Sequence, residues 1–157
     1  TLHLAELMHD RGTVWAIDKT ASRLKKLQQN IDRLSLNSIQ TLTADSRDVP
    51  QLKGKCDRVL VDAPCSGLGT LNRHADARWR QTPESAAGLA QLQQEILTEA
   101  ATWVKPQGVL VYSTCTLNTI ENEAVIEQFL SQHPHWSIEK TDRFPELTTS
   151  EGWIKVL

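Results

Sequence analysis

Cys65 and Cys115 each stand just beyond a run of strand-forming residues, in Asp62-Ala63-Pro64-Cys65-Ser66-Gly67 and in Ser113-Thr114-Cys115-Thr116. The thiolate is the nucleophilic form of cysteine, and the positive end of a helix dipole favours it. Cys115 shortly precedes a helix-start signal, so its position allows two readings: a catalytic nucleophile or a buried strand-end thiol. Cys56 precedes a strand with no cation-rich turn beside it and reads as a small buried hydrophobe. Three cysteines cannot all pair, and none has a Cys-x-x-Cys spacing suited to zinc or a redox dithiol. No metal is expected, and free thiols in a reducing, cytoplasmic compartment are the simplest reading.

Three acids also close strand-like runs: Asp18 after Thr13-Val14-Trp15-Ala16-Ile17, Asp45 after Ile39 to Thr43, and Asp62 after Arg58-Val59-Leu60-Val61. A carboxylate accepts two O–H donors at once, which suits Asp18 to ribose hydroxyls; the plain alternative is a solvated loop acid. Asp45 could accept from an adenine amino group, although Asp is also a common turn residue. Pro64 fixes the backbone just beyond Asp62, where a planar ligand could lie. Residues 68–81 interleave Arg73, His74, Arg78, Trp79 and Arg80. That mixture of cations and an aromatic suits phosphates and a stacked base, with a solvated lid as the plainer reading.

The elements that must position these groups alternate. A short helix opens the chain at Leu2 to Met8, and Thr20 to Leu36 is amphipathic, with Leu24, Leu27, Ile31 and Leu34 on one face. Thr82-Pro83-Glu84 starts a helix reaching about Val104, with Leu89, Leu92, Ile96, Ala100 and Trp103 as its apolar face. Lys105-Pro106-Gln107-Gly108 stops it, and Val109 to Thr114 forms a further strand. Asn118 with Glu121 resembles a capping box for a helix through Leu130, and Trp136 to Glu139 has strand character. Strands alternating with helices predict an α/β fold: an open, mostly parallel, doubly wound sheet whose strand ends edge one cleft.

With 157 residues, 39% apolar and 23% charged, the chain suits one globular domain. Its net charge of −2 supplies no global basic field for nucleic acid, yet permits a local patch. No apolar run approaches the ~20 residues of a membrane span, so no membrane association is expected.

Together, the Asp62-Ala63-Pro64-Cys65-Ser66-Gly67 and Ser113-Thr114-Cys115-Thr116 signatures, followed by Glu121-Asn122-Glu123, resemble a known family. They are similar to those of the Sun (Fmu) RNA cytosine-C5 methyltransferases, the family of ribosomal RNA small subunit methyltransferase B. Ala16-Ile17-Asp18 and Ala44-Asp45-Ser46-Arg47-Asp48 resemble the family's two cofactor-binding acids. The resemblance implies a Rossmann-like class I methyltransferase fold, S-adenosyl-L-methionine as methyl donor, and RNA, ribosomal RNA first, as substrate. It assigns Cys115 as nucleophile, Cys65 to adduct release, Asp62 to the base and cofactor, Asp18 to ribose and Asp45 to adenine. DNA cytosine methyltransferases place their nucleophile in a Pro-Cys after the equivalent strand, which would nominate Cys65; the second cysteine favours the RNA class. The resemblance further implies that residues 1–157 are a fragment of the methyltransferase domain, inactive alone, without the first strand and its Gly-rich loop and without the last strand. Two other classes remain open from the residues themselves: a non-catalytic Rossmann-like nucleotide-binding scaffold, and an NAD-dependent oxidoreductase that leaves both cysteines unexplained.

Overall fold

The computed structural model describes residues 1–70 and 82–156. Its elements run α1 (Leu2–Leu7), β1 (Val14–Asp18), α2 (Ala21–Leu34), β2 (Ile39–Thr43), β3 (Cys56–Asp62), α3 (Pro83–Trp103), β4 (Val104–Ser113) and α4 (Glu123–Gln132). Short 3-10 turns stand at Pro50–Leu52, Leu68–Thr70 and Thr119–Glu121. The chain divides into two compact units: Thr1–Val59 with Glu99–Leu110, and Leu60–Thr98 with Val111–Leu157.

In the first unit, β1 and β2 pair in parallel from Val14↔Ile39 to Asp18↔Thr43. Ala16, Ile39, Leu24 and Ile31 close over Ala5 of α1 in an apolar core, with Leu2, Val14, Leu27 and Leu36 packed at its edge. The face expected of α2 is therefore the one it buries. Asp10 staples this unit: its carboxylate accepts from the backbone N–H groups of Asn37, at 2.9 and 3.0 Å, and Ser38, at 2.8 Å. This ties the turn after α1 to the loop entering β2.

Strand β3 pairs with β4. Lys105 grips Asp57 at 2.9 Å near the start of both strands, and the Ala63 N–H donates to Ser113 O at 2.9 Å near their ends, so the two run the same way. Val59 and Val61 are buried, whereas Leu60 is 54% exposed. Among the described residues the apolar run of β3 is thus covered on one face, because successive side chains point to opposite faces of a strand.

Three further expectations change. β4 begins at Val104, earlier than the expected Val109; Lys105-Pro106-Gln107-Gly108 ends α3 but passes directly into the strand, with Gln107 at φ +67°. The buried face of α3 carries Ala86, Gln93, Gln94, Leu97 and Ala100, one residue round from the predicted Leu89, Leu92 and Ile96, which are half-buried. Polar residues thus hold positions that the apolar period assigned to leucines. Trp136 to Glu139 is not a strand. Trp136 N–H donates to His133 O at 2.9 Å and its ring meets Phe129 edge-on at 5.9 Å, so the segment folds back onto α4.

Candidate active site

Asp18 and Asp45 lie at the carboxyl ends of the paired strands β1 and β2, where a parallel sheet presents ligand-binding groups. Asp18 Oδ1 accepts from Thr20 N at 2.7 Å, and Arg23 lies 3.5 Å from Oδ2. Partial burial pushes its pKa up, but Thr20 and Arg23 outweigh this and hold it below the usual carboxylate range. Asp45 takes a two-pronged grip from Arg47, Nε at 3.0 Å and Nη2 at 2.7 Å, which holds its pKa lower still. An adenine amino group there has to share that carboxylate with Arg47.

Asp62, Cys65 and Cys115 come together in the second unit, where β3 and β4 end. Asp62 is exposed, and no hydrogen bond reaches its carboxylate among the described residues. Cys65 Sγ and Cys115 Sγ stand 3.3 Å apart, and the Cys115 backbone N–H donates to Cys65 Sγ at 3.3 Å. Cys115 is exposed, whereas Cys65 is half-buried. Burial, reinforced by the neighbouring Cys115, pushes the Cys65 thiol up to about 11. At neutral pH Cys65 is therefore an S–H donor facing the Cys115 sulfur. A groove of about 350 Å³ opens on Cys115, lined also by Gly69, Thr70, Thr114 and Leu117.

The approach of the two turns depends on glycine. The Gly69 N–H donates to Cys115 O at 3.0 Å, and a Cβ at position 69 would stand 2.9 Å from that oxygen. Gly67, at φ +69°, turns the chain sharply after Cys65 and Ser66. Cys56 sits half-buried at the start of β3, and burial followed by Asp57 raises its thiol.

Sequence reasoning missed the polar groups beneath this pair. Glu121 is fully buried and does not complete the expected capping box: the Asn118 N–H donates to Thr116 Oγ1 at 3.2 Å, and Asn118 makes the cap alone, accepting from Ile120 N at 3.2 Å. Glu121 instead accepts from Ser66 N at 2.8 Å, Ser66 Oγ at 2.5 Å and Gln93 Nε2 at 3.1 Å. The same spacing serves an N-cap and an inward-turned acid, so the local pattern does not separate them. Arg73, His74, Arg78, Trp79 and Arg80 lie outside the described residues. Among the described residues, no group of three His, Cys, Asp or Glu is placed to hold a metal, and no helix is long and apolar enough to cross a membrane.

The sequence model of the family 16S rRNA methyltransferase RsmB/F matches residues 1–154. The chain belongs to that family. It is 51% identical over 142 residues to the probable ribosomal RNA small subunit methyltransferase B of Synechocystis, covering 88% of this chain and 32% of the relative. It is 41% identical over 150 residues to the Bacillus subtilis protein of the same description, covering 92% and 33%. The crystal structure of NSun6 from Pyrococcus horikoshii with SFG superposes with a TM-score of 0.82 at 33% identity, covering 98% of this chain and 38% of that one. The fold is the Rossmann-like methyltransferase α/β fold. The chain spans about a third of the length of the curated relatives it matches.

Proposed function

We propose that this chain carries the thiol chemistry of an S-adenosylmethionine-dependent RNA cytosine-C5 methyltransferase acting on ribosomal RNA. The observation that carries the reading is the thiol pair: two cysteines 3.3 Å apart at adjoining strand ends, one exposed and one held protonated. A methyltransferase acting on an amino group has no use for such a pair. Carbon 5 of cytosine does, because it is a poor nucleophile until carbon 6 has been attacked.

Cys115 Sγ adds as thiolate to C6, and the electron pair of the C5–C6 double bond makes C5 an enamine carbon. Ring nitrogen 3 takes a proton from water as electron density reaches it, and the Asp62 carboxylate accepts a hydrogen bond from the N3–H so formed, whose proton returns to water when Cys115 leaves. S-adenosylmethionine supplies the electrophilic methyl group that C5 accepts. Loss of the C5 proton to water then restores the C5–C6 double bond and expels Cys115 as thiolate. The Cys65 S–H donates toward the Cys115 sulfur and stabilises that thiolate both as it attacks and as it leaves.

Asp18 fits the cofactor's ribose: it is an ionised acceptor at a strand end, with Arg23 3.5 Å from Oδ2. Asp45 is the acceptor for the adenine amino group, and the SFG in the crystal structure of Pyrococcus horikoshii NSun6 supports a ligand site in this fold. Residues 1–157 form part of one methyltransferase domain, and Arg73, Arg78, Trp79 and Arg80 are its RNA contacts. Relatives named for ribosomal RNA favour that substrate over the tRNA named for human NSUN6, which is 38% identical over 147 residues.

The test is covalent trapping of the intact protein on ribosomal RNA carrying 5-fluorocytidine, with S-adenosylmethionine, on a denaturing gel. Fluorine cannot leave C5 as a proton does, so the C6 adduct should persist in the native protein and in Cys65→Ala and vanish in Cys115→Ala. Loss in Cys65→Ala alone reverses the two roles. RNA binding without an adduct in any form leaves a non-catalytic scaffold.

A further inference from the structure

Glu121 and Asn122 belong to the signature that carries the family resemblance, yet the thiol chemistry assigns them nothing. The structure ties each to one cysteine turn. All three donors to the Glu121 carboxylate lead back to Cys65: Ser66 N, Ser66 Oγ and Gln93 Nε2, which also donates to Pro64 O at 2.8 Å. Asn122 holds the other turn. Its Nδ2 donates to Thr116 O at 2.9 Å, and its Oδ1 accepts from Thr114 Oγ1 at 2.5 Å, so its contacts bracket Cys115. Tyr112 fixes the hinge between them by donating its hydroxyl to Glu121 O at 2.7 Å.

Ser66 Oγ and Thr116 Oγ1 lie 2.8 Å apart and join the two turns directly. A carboxylate has only acceptor sites, so Ser66 O–H points to Glu121 and Thr116 O–H points to Ser66. Thr116 Oγ1 is then free to accept from Asn118 N, at 3.2 Å. One buried acid thereby sets the direction of two hydroxyls and the spacing of two backbone turns. A fully buried acid is costly unless its acceptor sites are filled, and an apolar residue would pack here without that cost.

We infer that Glu121, acting with Asn122, is the positioning residue that sets the Cys65–Cys115 geometry. The inference rests on the proposed thiol chemistry for its consequence in catalysis, but the geometry it asserts can be read without RNA. The intact protein is treated with the azo oxidant diamide. Closing a Cys65–Cys115 disulfide removes two protons and two electrons from the thiols, and these reduce the N=N bond to a hydrazine. Mass spectrometry follows the loss of two hydrogens.

Disulfide closure is expected to slow at least about tenfold in Glu121→Gln and in Ser66→Ala, since oriented reactions are that sensitive to misplacement. Both variants should lower kcat for methylation while leaving KM for RNA unchanged. Closure at the native rate in variants that still melt cooperatively overturns the inference, as does an unchanged kcat where closure slows. If Glu121→Gln does not fold, Ser66→Ala decides by the same readings. Slowed closure in the variants, with no adduct formed by native protein on 5-fluorocytidine RNA, upholds the positioning and overturns the methyltransferase reading alone.

Discussion

Two cysteines of one chain differ here because of what surrounds each sulfur. Cys65 is half-buried and its thiol is raised to about 11, by burial first and by Cys115 second. Cys115 is exposed at a groove. Iodoacetamide should therefore modify Cys115 well before Cys65 at pH 8. Cys65 labelling should rise about tenfold per pH unit up to its own pKa, since only the thiolate reacts. Peptide mapping over a pH series checks both, and equal labelling at pH 8 would remove the basis for a protonated donor. The strand-end positions of Cys65, Cys115, Asp18, Asp45 and Asp62 were legible, because strand ends can be read from apolar runs. Glu121 was not, because its partners Ser66 and Gln93 lie 55 and 28 residues away, and no local spacing records them.

At the scale of elements, period and punctuation located the four α-helices and the four strands of the described residues, with β4 starting earlier than read, while burial followed tertiary context. The apolar period of α3 pointed to Leu92 and Ile96, yet Gln93 and Leu97 face inward, because that face meets polar groups of the Cys65 turn and of α4. The first unit shows the opposite arrangement: an apolar core, with its loops closed by one acid. Ser38, then Asn37, hold Asp10 down to about 2 from its ordinary 3.8. A depressed carboxylate contributes stability that is present above the unfolded value and lost as pH falls through the folded one. Asp10→Asn should accordingly lower the melting temperature at neutral pH. Its difference from native protein should close between about pH 4 and pH 2, as the native carboxylate takes up its proton. Parallel melting curves at every pH in thermal denaturation would show that Asp10 does not hold the turn through its charge.

At the scale of the whole chain, the charge balance bears on how the proposed RNA substrate would be held. The chain carries −2 overall, with 17 basic against 19 acidic residues, so no diffuse field draws in a polyanion. Several basic groups are already engaged: Arg23 with Asp18, Arg47 with Asp45, Lys105 with Asp57 and Lys155 with Glu123. The proposed RNA contact then rests on a few concentrated cations, and the sequence concentrates Arg73, Arg78 and Arg80 within eight residues around Trp79. Each phosphate contact releases counterions, giving a slope of about −0.7 in log affinity against log salt per contact on single strands. Replacing all three arginines with glutamine in the intact protein should flatten that slope by about 2 and weaken binding most at low salt. Replacing Trp79 with alanine should weaken binding with the slope unchanged, because stacking releases no counterions. Fluorescence anisotropy over a salt series separates the two effects. An unchanged slope in the triple variant would place the phosphate contacts in residues other than these three arginines.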